Sequence, residues 1–286
     1  MPRPRDIAAI DTLIGFRDVE HHKPMASIRT DWDKHPAEYM FKTVPDELGE
    51  SADRFAAIEE TIGQMDRFNV RVGAVSSNDD RLVEAMRRHP GRFIGVMPVN
   101  PHLGMDSVRA IQQAYDEKRI SAISMFPSGV HPPCAINDKH WYPVYAKCCE
   151  LGIPAFTTAG VPGPRLPMMP QYVGHLDEVC YDFPELKIVM RHGAEPWVDL
   201  AVKLLLKWPN LYYSTSAFAP KYWPKEIIDF ANTRGSDKVI YAGYYPMGLE
   251  LERIFTEMDR VPFKDHVWPK FLWDNAAKVL GIAPPQ

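Results

Sequence analysis

The chain has 286 residues, of which 45% are hydrophobic and 24% charged, with a formal net charge of -4. That length and apolar content suffice for one sizeable core, close to the ~250 residues typical of a single α/β barrel. The mild acidity and the lack of a Lys/Arg run argue against a nucleic-acid partner, and no apolar run is long enough to span a bilayer. The segment from Met1 to Asp6 has no apolar core of the kind a secretory leader needs. Cys134, Cys148, Cys149 and Cys180 show no CxxC spacing, so the expectation is a reduced, cytoplasmic protein with buried thiols. The 27 prolines fall mainly at strand ends and helix starts rather than in one tract.

Taken in chain order, eight short apolar runs are expected to be strands. They are Ile7–Ile14, Val70–Val75, Phe93–Val99, Ile120–Phe126, Ile153–Thr157, Lys187–Met190, Leu211–Ser214 and Lys238–Ala242. Most are near-continuously apolar, as a parallel strand buried on both faces must be. Helical patterns lie between them. Phe55, Ile58, Ile62 and Met65 share one face, and Trp197, Leu200, Ala201, Leu204, Leu205 and Trp208 share another. Pro196 stands where that second helix is expected to start. The alternation predicts one domain over 1–286, a single (β/α)8 barrel. An open doubly wound sheet is the competing fold, but no G-x-G-x-x-G follows any strand. Two segments break the rhythm. Residues 16–51 follow the first strand as a long loop, expected to be a lid or an interface, with Trp32 and Tyr39-Met40-Phe41 as its apolar part. Residues 128–138 follow the fourth strand and are rich in Pro and Gly.

Five motifs in order resemble the amidohydrolase-related family, the group around aminocarboxymuconate semialdehyde decarboxylase. They are Arg92-Phe93-Ile94-Gly95-Val96, the run from Gly152 to Gly160, the run from Leu186 to Gly193, the run from Ile240 to Pro246, and Trp273-Asp274-Asn275-Ala276-Ala277. The resemblance extends from about Asp6 to Gly281 and implies an amidohydrolase-type barrel. It also implies a metal held by two histidines on strand one, a histidine on strand five and an aspartate on strand eight. Those positions hold Leu13, Gly15, Thr158 and Tyr244 here. Leu13 and Gly15 offer no lone pair to an ion, and neutral hydroxyls are weak ligands beside His or carboxylate. No metal or other cofactor is therefore expected in that site. The strand-six histidine, which in many relatives works on metal-bound water, persists as His192.

His192 precedes Gly193 at a strand end, the catalytic face of such barrels, and is the candidate acid/base. Asp11 is expected to orient it or to receive a cationic group. Tyr244 and Thr158 should face the cavity, as a proton donor or as hydrogen-bonding groups for a substrate oxygen, or else fill the volume left by the metal. Arg191 could clamp a carboxylate, although a residue adjacent to an inward histidine is expected to point outward. Ser214, Thr215 and Ser216 end strand seven, and Ser128 and His131 follow strand four. No G-x-S-x-G elbow surrounds these serines. His21-His22 with Glu20 could rebuild a mononuclear metal site.

Three functions fit these residues. The first is a metal-independent hydrolase or lyase acting on a small carboxylate- or carbonyl-bearing substrate, with His192 as acid/base and Asp11 and Tyr244 assisting. The second, implied by resemblance to two-subunit 2-aminoisobutyrate hydroxylases, is a degenerate subunit paired with an amidohydrolase-like barrel that keeps its metals. The third is the rewired site at His21 or His22. A homo- or hetero-oligomer is expected in either of the first two cases.

Overall fold

A computed structural model describes residues 3–17 and 55–283. Within them eight strands run in parallel in chain order: β1 (Ala9–Asp11), β2 (Val70–Ser76), β3 (Phe93–Pro98), β4 (Ala122–Met125), β5 (Ala155–Thr158), β6 (Ile188–Arg191), β7 (Leu211–Ser214) and β8 (Val239–Ile240). The order is that of a (β/α)8 barrel, as the spacing of apolar runs predicts. Neighbouring strands pair from β1 to β8, with one register shift between Ala9 and Ile10 in the first pair. At the seam between β8 and β1 the barrel is joined by separate hydrogen bonds. Tyr244 N–H donates to Leu13 O (2.9 Å), Gly15 N–H donates to Tyr245 O (2.7 Å), and Ile14 bridges to Tyr245.

Eight helices follow the strands among the described residues, one after each βα turn from β2 on and one ahead of β2. These are α1 (Ala56–Arg67), α2 (Leu82–Arg88), α3 (Met105–Asp116), α4 (Tyr142–Leu151), α5 (His175–Asp182), α6 (Val198–Lys207), α7 (Lys225–Ala231) and α8 (Leu251–Met258). The expected apolar faces are the ones buried: Ile58, Ile62 and Met65 on α1, and Ala201, Leu204 and Leu205 on α6. Helix α6 starts at Val198, so Pro196 lies ahead of the helix and not in its first turn. No helix is long and apolar enough to cross a membrane among these residues.

Two cores result from the two faces of the sheet. The outer face of the strands packs on the helices. The inner face contributes Ile10, Val72, Val96, Ala122, Phe156, Val189, Tyr212 and Ile240, which fill the barrel interior. A terminal helix, α9 (Asn275–Leu280), closes the floor with Ala276, Ala277 and Val279, aided by Trp273. The Asn275 amide anchors it by donating to the carbonyls of Ser236 (2.9 Å) and Val239 (2.8 Å) at the foot of β8. The Asn of the expected terminal motif therefore has a structural duty.

Candidate active site

The C-terminal ends of β5 to β8 carry the polar residues. Val189 faces the interior, so alternation aims Arg191, two residues later, inward as well. The outward orientation expected for Arg191 is thus wrong. Alternation was counted from an inward His192, but β6 ends at Arg191 and His192 adopts a left-handed backbone (φ 66°), which resets the direction of the side chain. Arg191 is only 5% exposed, and its guanidinium carbon sits 4.3 Å from the centre of the Phe156 ring. Nη2 donates to Thr12 O (2.8 Å), while Nε has no partner. Removal from water lowers its pKa to about 9, against the opposing pull of Asp11 and Tyr244.

Thr158 on β5 is the register partner of Arg191, and its hydroxyl donates to Met125 O (3.3 Å). Ser214, one step past the last β6–β7 pair, continues the same inner row. Its hydroxyl is buried without a partner. Thr158, Arg191 and Ser214 are therefore brought together as a polar layer above the apolar floor.

His192 stands over this layer. Its backbone N–H donates to Ser216 Oγ (3.1 Å), and the same hydroxyl lies 3.2 Å from Nδ1. The ring meets Tyr244 edge to face, with centroids 5.4 Å apart. Tyr244 is also left-handed (φ 78°), as are Ala194 and Ala217 in the neighbouring turns. Non-glycine residues in this region cost about 1 kcal/mol or more each and concentrate at functional sites. Gly193 (φ 96°) packs so close to Phe218 that a Cβ would stand 2.7 Å from that ring. His192 and Tyr244 are both half-buried. Burial, then the Arg191 charge, lowers the His192 pKa to about 3, and burial raises Tyr244 to about 12. The imidazole is therefore neutral and the phenol protonated at neutral pH.

Asp11 is fully buried at the seam. Its Oδ1 accepts from Leu13 N–H (3.0 Å) and Gly243 N–H (2.8 Å), so it ties β1 to β8. No hydrogen bond links it to His192. Burial pushes its pKa up to about 7 despite these N–H donors. The Tyr241 hydroxyl faces the carboxylate closely enough to oppose that rise, although neither it nor Oδ2 attains hydrogen-bond geometry. Gly243 permits this approach, since a Cβ there would lie 2.4 Å from Oδ2.

Other candidates fall away from this group. His131 is exposed in the loop after β4 and makes no hydrogen bond or ring contact with it. The Ser128 hydroxyl donates to Pro167 O (2.6 Å), which leaves no Ser–His pair there. His21, His22 and most of the 16–51 loop lie outside the described residues. Sequence reasoning gave Ser216 no contact with His192 and did not single out Tyr241 or Phe156. A further cluster was also missed. The ligating atoms of Cys134, Asp138 and His140 lie within 4.8 Å of one another. Asp138 is already committed, capping the turn through His140 N–H (2.9 Å) and meeting His140 Nδ1 at 2.6 Å. Burial pushes the Cys134 thiol up to about 12, which opposes the thiolate a metal requires.

Comparison with known proteins agrees with this architecture. A model of a family described as amidohydrolase matches residues 18–282. The chain is 24% identical over 183 residues to a 2-keto-4-carboxy-3-hexenedioate hydratase from Sphingobium sp., covering 52% of this chain and 53% of that enzyme. It thus spans about half the length of the curated relative it matches. Among solved structures it is similar to an uncharacterized TIM-barrel protein from Bordetella bronchiseptica, with 22% identity, a TM-score of 0.72 and coverage of 94% of this chain and 98% of that one. It also resembles a manganese-bound 5-carboxyvanillate decarboxylase from Novosphingobium aromaticivorans, with 16% identity, a TM-score of 0.67 and coverage of 97% and 98%. At these identities the structural likeness establishes the barrel.

Proposed function

This chain belongs to the amidohydrolase family, and from that premise we propose that it is a metal-independent lyase or hydrolase acting on a small carboxylate- or carbonyl-bearing substrate, with His192 as acid/base. The observation that carries the reading is the left-handed His192, locked by Ser216 at Nδ1 and braced by Tyr244. In the tautomer where Nδ1–H donates to Ser216 Oγ, Nε2 keeps a lone pair for substrate. Nε2 takes a proton from the attacking water and returns it to the atom of the substrate that must receive one. Tyr244 keeps its proton and serves as a hydrogen-bond donor to a substrate oxygen. Asp11 acts through the backbone, fixing the seam on which Tyr244 is mounted.

The solved decarboxylase holds manganese. The side chains here do not suit such an ion. The Thr158 hydroxyl is spent on Met125 O, and the Arg191 guanidinium already places a fixed positive charge in the same ring of strand ends. A second cation there would be repelled in a medium that screens poorly. Among the described residues, the ligating atoms that converge belong instead to Cys134, Asp138 and His140.

The test is metal analysis of the purified chain together with turnover in excess chelator. The substrates to try first are unsaturated oxo-tricarboxylates and hydroxybenzoates, the chemistries of the hydratase and the decarboxylase. Turnover that persists in chelator and is lost in His192→Asn is the expected result. Stoichiometric metal in the chain, with activity abolished by chelator, overturns the metal-independent reading and the degenerate-subunit reading alike.

A further inference from the structure

We propose that Arg191 is the receptor for a carboxylate, so that the ligand of this barrel is a small carboxylic acid held head-down on Arg191 and Ser214 with its remainder beneath His192. The proposal rests on the active-site reading above and adds the substrate class and the residue that selects it.

The case begins with a deficit. A guanidinium carries five N–H donors. Among the described residues Arg191 uses one, to the neutral Thr12 carbonyl. Its Nε is buried and unpaired, and it makes no ion pair among the described residues. Stripping water from a cation is costly, and a single hydrogen bond to a neutral carbonyl returns only part of that cost. The face of the Phe156 ring, 4.3 Å from the guanidinium carbon, returns a further part. Asp11 pulls on the guanidinium from a distance but forms neither a hydrogen bond nor an ion pair with it, and burial raises its own pKa to about 7, so it does not occupy the open donors.

A second, independent observation points the same way. Ser214 Oγ is buried without a partner on the same inner row, one strand over from Arg191. A free hydroxyl beside a planar fork of donors suits a planar acceptor with two oxygens. An anion bound there also offsets the Arg191 charge, which after burial is the second cause that lowers the His192 pKa. A neutral ligand would leave that charge in place.

The competing account is structural: Arg191 merely holds the Thr12 carbonyl. The two accounts predict opposite stabilities. Loss of a structural arginine lowers the melting temperature, whereas loss of an unpaired buried cation leaves it unchanged or raises it.

The experiment is calorimetric titration of the full chain with benzoate and pyruvate, each against its amide. The variants are Arg191→Met, Arg191→Lys and Ser214→Ala. The expected result is binding of at least one carboxylate but of neither amide. Binding should weaken by about 30-fold or more in Arg191→Met, as for lost charge-assisted hydrogen bonds. Arg191→Lys should fall between, since it keeps the charge and loses the fork, and Ser214→Ala should weaken binding a few-fold. Equal carboxylate affinity in Arg191→Met overturns the proposal, as do binding of the amides, binding of neither carboxylate, or a melting temperature well below that of the parent. His192→Asn separates this inference from the reading it rests on. Retained carboxylate affinity with lost turnover supports both. Retained turnover in that variant removes the acid/base role of His192 while leaving the Arg191 result intact.

Discussion

The floor and the mouth of the barrel are built from the same inner face of the same strands, two residues apart, and they obey opposite rules. Phe156, Val189 and Tyr212 lie at the floor, closed by Ala276 and Val279. One step along each strand come Thr158, Arg191 and Ser214. At the floor every side chain is apolar and buried. At the mouth the chain buries a cation without an anion, leaves a hydroxyl unpaired and holds His192 and Tyr244 in left-handed backbone. A core that only had to be stable would not contain these features, because each costs free energy that apolar packing would avoid. The difference gives stability to one layer and, under the function proposed above, chemistry to the next.

The comparison is broken most directly by truncating one residue from each layer. His192→Ala should lower turnover by about 10²- to 10⁴-fold, the range of a lost acid/base, with a melting temperature close to the parent's. A large fall in melting temperature would place His192 with the floor. Ile240→Ala at the floor should do the reverse, costing about 3 kcal/mol in chemical denaturation while the folded fraction stays active. Gly243→Ala tests the seam between the layers. Its Cβ would press on Asp11 Oδ2, and a loss of about 1–3 kcal/mol is expected, with reduced turnover as Tyr244 shifts. Unchanged stability would mean that Asp11 can move freely.

Much of this was legible in the sequence. Eight apolar runs forecast eight strands, because a strand buried on both faces has no reason to alternate. Their ends were less legible. Ile7–Ile14 shrinks to Ala9–Asp11 and Lys238–Ala242 to Val239–Ile240, since the seam uses irregular bonds that leave no period in the residues. His192 was visible through its motif. The inward turn of Arg191 was not, because it depends on the left-handed backbone that begins one residue later. Nor was the Ser216 contact, which joins two strand ends that only the folded register brings side by side.

The smallest effect concerns pH. Folding raises the Asp11 pKa to about 7 from an ordinary carboxylate value. The folded state therefore binds the extra proton, and the stability linked to Asp11 is greatest near pH 4 and lost as pH rises through 7. His192 has the opposite sign. Its pKa falls to about 3, so its contribution is present above pH 6.5 and lost as pH falls. Between roughly pH 4 and 6.5 the two slopes oppose one another, and the parent should show a nearly flat stability profile there. Asp11→Asn should leave the His192 slope alone, so that stability climbs with pH across that window. A profile that stays flat in Asp11→Asn would assign the carboxylate behaviour to another group.

The left-handed backbone at His192 and Tyr244 also marks what selection has to maintain. Glycine adopts that conformation at no steric cost, so substitution at either position relieves about 1 kcal/mol of strain. A randomised library screened only for heat resistance weighs that relief against the packing each ring loses, and should no longer require an imidazole at 192. The same library screened for turnover should keep an imidazole at 192 and an aromatic ring at 244. The divergence of the two populations would measure, position by position, how much of this barrel's rim is held in place by use and not by folding.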